Sequence, residues 1–402
     1  MKILVVHDRN RPYGGGEQYL AELCPTLRAH GCQVFVVSRE GEGTGYFSCD
    51  ASWTVPGTVG LRSGHRYWPQ YAQILATANP DVIYVNGAAP WFLSPLILGR
   101  LVRQRPTVLF VHHIGLICPN GTKRLPDGTA CIYPTGARCL REGCVVRLQG
   151  PLAARAHWFA AALWRLRAVR GCRQIVCPSR YVANEMCRNG YPAERVRVLP
   201  YFTSMHAEVP DHPPCEPRIL WVGRFDGTKG FDVFLEALGR LHTVGWEAIV
   251  VGDDAGRPAA AAAVEQAGLA KQVRFVGRLD REGMTQAYMD CRLLAVTSLN
   301  AETFVIVGIE AMAHGRPVVA FAPGGVQEWL TAGETGFLVP SGDSRALAAG
   351  MDEVLCEDNL WLHLALAGQS RVEERFRPTS HMAELLAIFR EAIACGERTG
   401  LA

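Results

Sequence analysis

The chain has 402 residues, 49% of them hydrophobic and 20% charged, which is enough for two ordinary domains with sizeable cores and excludes a disordered or fibrous protein. No run reaches the length that spans a bilayer, and Met1–Asp8 reads directly into a strand rather than a signal peptide, so a cytoplasmic protein is expected. The net charge of +3 hides a split: residues 1–200 carry 24 Lys and Arg against 11 Asp and Glu, or +13, and residues 201–402 carry 17 against 27, or −10. Such asymmetry suits two domains with different partners, the basic one facing something anionic; without interleaved basic and aromatic residues, nucleic acid is not expected.

Lys2–Asp8 is a short apolar run of the kind that forms a buried parallel strand. A glycine-rich turn follows, running from Arg9 through Gly14-Gly15-Gly16 to Glu17, then a helical pattern to Ala29 and a strand at Val34–Val37. Strand, turn, helix and strand make a Rossmann-like start, but G-x-G-x-x-G is absent, so a dinucleotide fingerprint fails. The glycines instead suit close approach of backbone amides to a phosphate or sugar. Residues 41–66 read as loops; strands are expected at Asp81–Asn86 and Thr107–His113, with a helix around Trp91–Gln104. The second of these strands ends in His112-His113, where a parallel sheet presents ligand-facing groups and a histidine serves as donor or base.

Fourteen cysteines suggest a disulfide scaffold only in a short secreted chain, and this chain is neither. Cys118, Cys131, Cys139 and Cys144 nevertheless fall within 27 residues, separated by 12, 7 and 4 others. They fit a tetrahedral zinc site or a cluster, but no Cys-x-x-Cys pair occurs, and reduced thiols ordering a lid are the default reading. Pro151–Arg170 reads as a helix in which Trp158, Phe159 and Trp164 stand beside Arg155, Arg165, Arg167 and Arg170, a composition suited to an anionic membrane surface or to ordinary packing with snorkelling arginines. Gln174–Pro178, a helix from Arg180, and Val196–Leu199 complete the first half, and the proline-rich His206–Pro217 reads as a linker.

The second half repeats the alternation. Strand Ile219–Gly223 leads into Arg224 and Lys229-Gly230, cations at a strand's carboxyl end that can neutralise a pyrophosphate. Strands at Ala248–Asp253, Val273–Gly277 and Arg292–Ser298 follow. Glu302 and Glu310, with seven residues between them, then precede a strand at Pro317–Phe321. A helix beginning near Thr303 places both carboxylates near one face and aims free amides at whatever precedes it. Gly324-Gly325 and Gly333 to Val339 mark later turns, and the remainder is mostly helical.

Taken together, Glu302 to Glu310 with the trailing His314-Gly315-Arg316-Pro317, Gly223-Arg224, Lys229-Gly230, Gly324-Gly325-Val326 with Glu328, Gly14-Gly15-Gly16-Glu17, and His112 through Pro119 resemble the motifs of the retaining family 4 glycosyltransferases, with their E-x(7)-E signature. The resemblance covers nearly the whole chain. It implies an α/β fold of GT-B type: two Rossmann-like domains facing each other across a cleft, residues 1–200 binding an acceptor and 218–375 a nucleotide sugar, joined by 201–217, with a C-terminal helical segment 376–402 crossing back to the first domain. It implies transfer of a sugar from a nucleotide-diphosphate sugar to a glycan or glycolipid acceptor, with no cofactor or metal required; a lipid-linked acceptor at the inner membrane face would in turn explain the +13 half and the Trp158–Arg170 helix. Among the site residues, it implies that Glu310 holds the ribose and that Arg224 and Lys229 hold the diphosphate. Glu302 and the amides of Thr303, Phe304, Val305 and Ile306 would lie near sugar and phosphates, with Gly14, Gly15, Gly16 and Gly277 also on the donor side. His112 joins Glu302 at the reacting centre, and Asn10, Arg11, Tyr13 and His113 lie on the acceptor side. The alternatives carried are an epimerase or phosphorylase of the same fold and a non-catalytic partner subunit that binds nucleotide sugar. Three residues depart from the family pattern: Val305 where a glycine is usual, His113 where an acid is usual, and Tyr201-Phe202 where Asn-Gly is common.

Overall fold

The structure, a computed structural model, describes residues 1–11, 14–40, 46–55, 63–87, 93–148, 150–253 and 255–398. Backbone contacts divide it into two compact units, residues 1–201 with 378–402 and residues 202–377. The first holds strands β1 (Lys2–Arg9), β2 (Gln33–Glu40), β3 (Ala51–Thr54), β4 (Val82–Asn86), β5 (Thr107–Phe110), β6 (Gln174–Cys177) and β7 (Val196–Val198). The second holds β8 (Arg218–Val222), β9 (Glu247–Val251), β10 (Val273–Gly277), β11 (Leu293–Val296), β12 (Val318–Phe321) and β13 (Gly336–Val339).

The two sheets are parallel throughout, in the orders β3-β2-β1-β4-β5-β6-β7 and β10-β9-β8-β11-β12-β13. Helices between the strands cover both faces, which is why the central strands are apolar without alternation: every residue of β4, β5, β11 and β12 is buried. Edge strands β3 and β7 hold no fully buried residue. In each sheet the winding reverses between two neighbours, β1 and β4 in the first and β8 and β11 in the second. Loops splay apart at the carboxyl ends of such a pair, opening the crevice in which doubly wound sheets take ligands.

Several expected boundaries move. The stretch 41–66, expected to be loop, contains β3 and the start of the helix Ser63–Ala78; β3 pairs with β2 in parallel register, a long-range choice that local composition does not encode. The helix expected from Trp91 spans Pro95–Gln104, with Ser94 as N-cap accepting from Leu96 N, while Trp91 lies outside the described residues. The strand expected to reach His113 ends at Phe110.

The C-terminal helix Pro378–Arg398 belongs to the first unit. His381 is buried there, its Nδ1 donating to the Pro200 carbonyl and its Nε2 accepting from the Tyr19 hydroxyl, both at 2.8 Å. Tyr84 packs edge-on against Phe389, and Arg197 pairs with Glu391 at 2.8 Å. This arrangement requires a neutral imidazole, and burial pulls His381 down to about 4 despite the Pro200 carbonyl that raises it. Because the unfolded chain takes up this proton near the ordinary histidine value and the folded one does not, the contribution is complete above that value and is lost as pH falls through it. Thermal unfolding followed from pH 7.5 to 5 should show a falling midpoint, and His381→Asn should flatten that slope; an unchanged slope in the variant would contradict the assignment.

Candidate active site

In the second unit, β8 runs out into Gly223–Gly230 and β11 into residues 297–305. Trp221 Nε1 donates to Thr297 Oγ1 at 2.9 Å, and Thr297 Oγ1 donates to the Lys229 carbonyl at 2.7 Å, which joins the two loops. Gly230 has φ of 65°, and a Cβ there would lie 2.2 Å from the Thr297 carbonyl oxygen, so only glycine lets the loops approach this closely. With the backbone fixed, Lys229 Nζ reaches Glu302 Oε1 at 2.7 Å, both side chains about one-quarter to one-fifth exposed. Arg224, half exposed, pairs with Asp226 at 3.1 Å on the same loop. Gly277 ends β10 with φ of 73°, two strands away in the sheet order, where its carbonyl accepts from Gly252 N at 3.0 Å.

The helix after β11 differs from expectation. It spans Ile306–Ala313, so Glu302 lies outside it and the two acids do not share a helix face. Two anchors hold the preceding residues out of helix. Glu302 accepts from Gly325 N at 2.8 Å and donates to the Pro323 carbonyl at 3.3 Å. Phe304 is wholly buried, and its carbonyl accepts from Trp329 Nε1 at 2.5 Å. Between these anchors and the helix, Val305 is forced to φ 78° and ψ 83°. This left-handed region suits glycine, so the Val305 departure seen in the sequence is a strained, β-branched residue at a glycine-type position.

Glu310 lies in the helix, 6% exposed, and accepts from the Tyr288 hydroxyl at 2.8 Å. Burial and the neighbouring Glu310 charge hold Tyr288 well above its ordinary value, so it stays a donor. His314 stacks on Tyr288 and donates its Nδ1 proton to the Glu310 carbonyl at 2.7 Å, while Arg316 Nε donates to the Tyr288 carbonyl at 2.7 Å. The first-turn amides of Ile306 and Val307 have no carbonyl four residues back within this helix, which leaves their dipoles directed toward the loop that carries Glu302.

In the first unit, the helix Gly15–Ala29 starts just after β1, and Glu17 accepts from Gly14 N at 3.0 Å. None of Gly14, Gly15 and Gly16 has a positive φ, and a Cβ on Gly16 would make ordinary contact with the rings of His7 and His112 at 3.7 and 3.9 Å. The turn therefore does not demand glycine for its own conformation. Asn10 is buried, its Oδ1 without a partner among the described residues; Arg11 is exposed, and Tyr13 lies outside the described residues.

His112 sits beyond β5, stacked on Phe110 with ring centroids 4.5 Å apart. Its Nε2 meets Asn86 Oδ1 and its Nδ1 meets the Tyr201 hydroxyl. With a carbonyl oxygen on Nε2, that nitrogen carries the proton and Nδ1 accepts from Tyr201. Burial, with His7 nearby, keeps His112 well below the ordinary histidine value. Asn86 links onward to His7, whose Nε2 meets Glu17 at 3.1 Å. Burial raises the Glu17 carboxyl, but the His7 bond and charge outweigh it, and the net shift is downward. A relay of Glu17, His7, Asn86, His112 and Tyr201 thus sets the tautomer of His112. His7, Asn86, Tyr201 and Tyr288 escaped the sequence reading as site residues. The polar ends of β1 and β4 carry the same signal that drew attention to His112. His113 caps the short helical turn Ile114–Leu116, its Nδ1 accepting from Gly115 N at 2.8 Å.

The helix Leu152–Val169 does not present its arginines and aromatics on one face. Phe159, Arg165 and Leu166 are buried, whereas Leu152 and Trp164 are 78% and 55% exposed. Cys118, Cys131, Cys139 and Cys144 line one small cavity as free thiols.

The two doubly wound parallel sheets, with ligand-facing loops at both switch points, define a protein of GT-B fold. Sucrose-phosphate synthase from Thermosynechococcus elongatus superposes with a TM-score of 0.75 at 20% identity, over 98% of this chain and 100% of that one. HepE of Anabaena in complex with UDP and glucose superposes at 0.70 and 20% identity, over 96% and 100%. The model of Glycosyltransferase Family 4 matches residues 13–203 and that of Glycosyl transferases group 1 matches residues 216–357. The chain belongs to the family 4 glycosyltransferases. Among curated relatives, the phosphatidyl-myo-inositol mannosyltransferase of Mycobacterium leprae is 30% identical over 48% of this chain and 51% of its own. The lipopolysaccharide core biosynthesis glycosyltransferase LpsE of Rhizobium meliloti is 29% identical over 53% and 62%. The chain thus spans roughly half the length of the curated relatives it matches.

Strain at Val305 has a measurable consequence. Val305→Gly should raise stability by about 1 kcal/mol, the relief of one β-branched residue from the left-handed region less the entropy that glycine adds to the unfolded chain. Denaturant unfolding checks this; a destabilised variant would mean that the valine side chain contributes more by packing than its backbone costs.

Proposed function

We propose that this chain transfers a sugar, with retention at the anomeric carbon and without a metal, from a nucleotide-diphosphate sugar to a glycan or lipid-linked acceptor. The observation that carries the reading is the convergence of Lys229, Glu302 and the start of the Glu310 helix at the β8–β11 switch point. The donor resemblance of the family and the UDP complex of the HepE neighbour support it.

The chemistry follows from these groups. Glycosyl–phosphate cleavage leaves an oxocarbenium-like sugar and a departing diphosphate. Lys229 and Arg224, with the first-turn amides of the Ile306–Ala313 helix, neutralise the leaving group. A diphosphate draws Lys229 from Glu302, so donor binding exchanges one ion pair for another and turns Glu302 toward the sugar hydroxyls. Glu310, held on its buried side by Tyr288, takes the ribose hydroxyls. His112 is held neutral, with its Nε2 proton on Asn86 and its Nδ1 accepting from Tyr201, so it bonds a sugar hydroxyl only by exchanging one of these two partners rather than by acting as a cation. Since both glutamates bind ligand, neither serves as a covalent nucleophile; the acceptor hydroxyl attacks on the face the diphosphate leaves, and its proton passes to the departing phosphate oxygen.

Isothermal titration with uridine, guanosine and adenosine diphosphates and their sugars identifies the donor. Lys229→Ala and Glu310→Ala should each weaken nucleotide-sugar binding by about tenfold to a hundredfold, the loss of one charged hydrogen bond of roughly 1.5–3 kcal/mol. Wild-type affinity in both would contradict the donor site.

The acceptor side is proposed to touch a lipid surface at the inner membrane face. Among the described residues no helix is long and apolar enough to cross a membrane. Yet among the described residues six of the nine exposed large apolar side chains, Ile132, Leu140, Val146, Leu152, Leu163 and Trp164, come from the single connection between β5 and β6. That connection lies in the half carrying +13. Sedimentation with anionic-lipid vesicles should retain the protein, and Leu152→Ser with Trp164→Ser should release it. Equal retention by neutral vesicles, or no retention, would count against the lipid role.

A further inference from the structure

The same connection carries a feature unrelated to sugar transfer. Backbone hydrogen bonds fold it back on itself. Cys118 N donates to the Ile114 carbonyl, Cys131 N to Lys123, and Cys139 N to Gly136, while Asn120 Nδ2 donates to the Cys144 carbonyl at 2.8 Å. Four cysteines spread over residues 118–144 are thereby brought to the wall of one cavity of about 20 Å³. All four are free and half-buried.

A second observation points to a charged occupant. Lys123 lines the cavity with its side chain 1% exposed; its ammonium donates to the Tyr133 carbonyl at 2.9 Å and pairs with Glu185 at 2.6 Å. Glu185 also pairs with Arg188 and Glu142 with Arg138, and Arg124 lines the same cavity, so the side chains of this corner carry a net positive charge. Net positive charge around a cluster of thiols suits thiolates bound to a divalent ion, a centre with two negative charges.

We infer that Cys118, Cys131, Cys139 and Cys144 bind one zinc ion as a closed, structural four-thiolate site. An all-sulfur set of four ligands selects zinc or iron–sulfur chemistry, and a space of roughly one water-sized sphere takes a single ion rather than a multi-iron cluster. In this structure no group of three or more His, Cys, Asp or Glu side chains stands at ligand spacing among the described residues, so the ion draws the sulfurs inward from the cavity wall. Each thiol gives its proton to solvent as its sulfur–zinc bond forms, and no electron is transferred. The ion would clamp the excursion to the turn that His113 caps, one residue from His112.

The test uses the full chain purified without chelators. Elemental analysis should find one zinc per chain and no iron. Alkylation mapped by mass spectrometry should modify the exposed Cys215 and Cys356 readily and spare all four clustered cysteines until a chelator is added, when the four react together. Cys131→Ser with Cys139→Ser should lose the zinc, while Cys215→Ser keeps it. Should the double variant fail to fold, the alkylation pattern of the unaltered chain decides. No zinc after purification and none taken up on titration would overturn the site. So would iron with visible absorbance, zinc retained by the folded double variant, or clustered cysteines that alkylate equally with and without zinc.

Discussion

The ion pair between Lys229 and Glu302 is the interaction on which the proposed donor site turns. Neither partner could be placed by its own element. Lys229 follows β8 by seven residues and Glu302 follows β11 by six, and the two meet because β8 and β11 are neighbours in a sheet whose winding reverses between them. The Trp221–Thr297–Lys229 hydrogen bonds and the Gly230 approach then fix the loops to each other. A pair built on such a foundation is preorganised, and a partly exposed pair of this kind contributes little to stability, about 0–1 kcal/mol. Exchanging it for a diphosphate therefore costs the fold little.

The first unit shows the same topology serving a different end. At its switch point the polar residues terminate β1, β4 and the stretch after β5, and they satisfy one another: Glu17, His7, Asn86, His112 and Tyr201 form a single relay. Where the second unit pairs its loop cations with Glu302 and Asp226, the first keeps a neutral histidine in a fixed tautomer. The basic excess of this half lies elsewhere, much of it on the connection that also carries the exposed apolar side chains and the four cysteines.

Much of this was legible in the sequence because parallel sheets announce themselves. Runs such as Ile3–Val6 and Val318–Phe321 are apolar on both faces, and the glycines after β8 mark the loop that carries Lys229. Two kinds of information were not local. β3 is a strand only because β2 offers an edge, and its composition reads as loop. The helix carrying Glu310 reads as starting at Thr303, yet tertiary anchors at Glu302 and Phe304 delay it to Ile306 and strain Val305. The reading of Glu302 and Glu310 as two acids on one helix face is therefore wrong, since only Glu310 lies in the helix. Arg165 and Phe159 illustrate the same limit, since composition alone does not say which face of a helix is buried.

A double-mutant cycle on nucleoside diphosphate binding tests the central claim most directly. If the ligand takes Lys229 from Glu302, Glu302→Gln should tighten diphosphate binding when Lys229 is present, because the carboxylate no longer competes, and should have no effect in a Lys229→Met background. Equal effects of Glu302→Gln in both backgrounds, or weaker binding in the first, would show that the pair is not exchanged and that the diphosphate is held elsewhere.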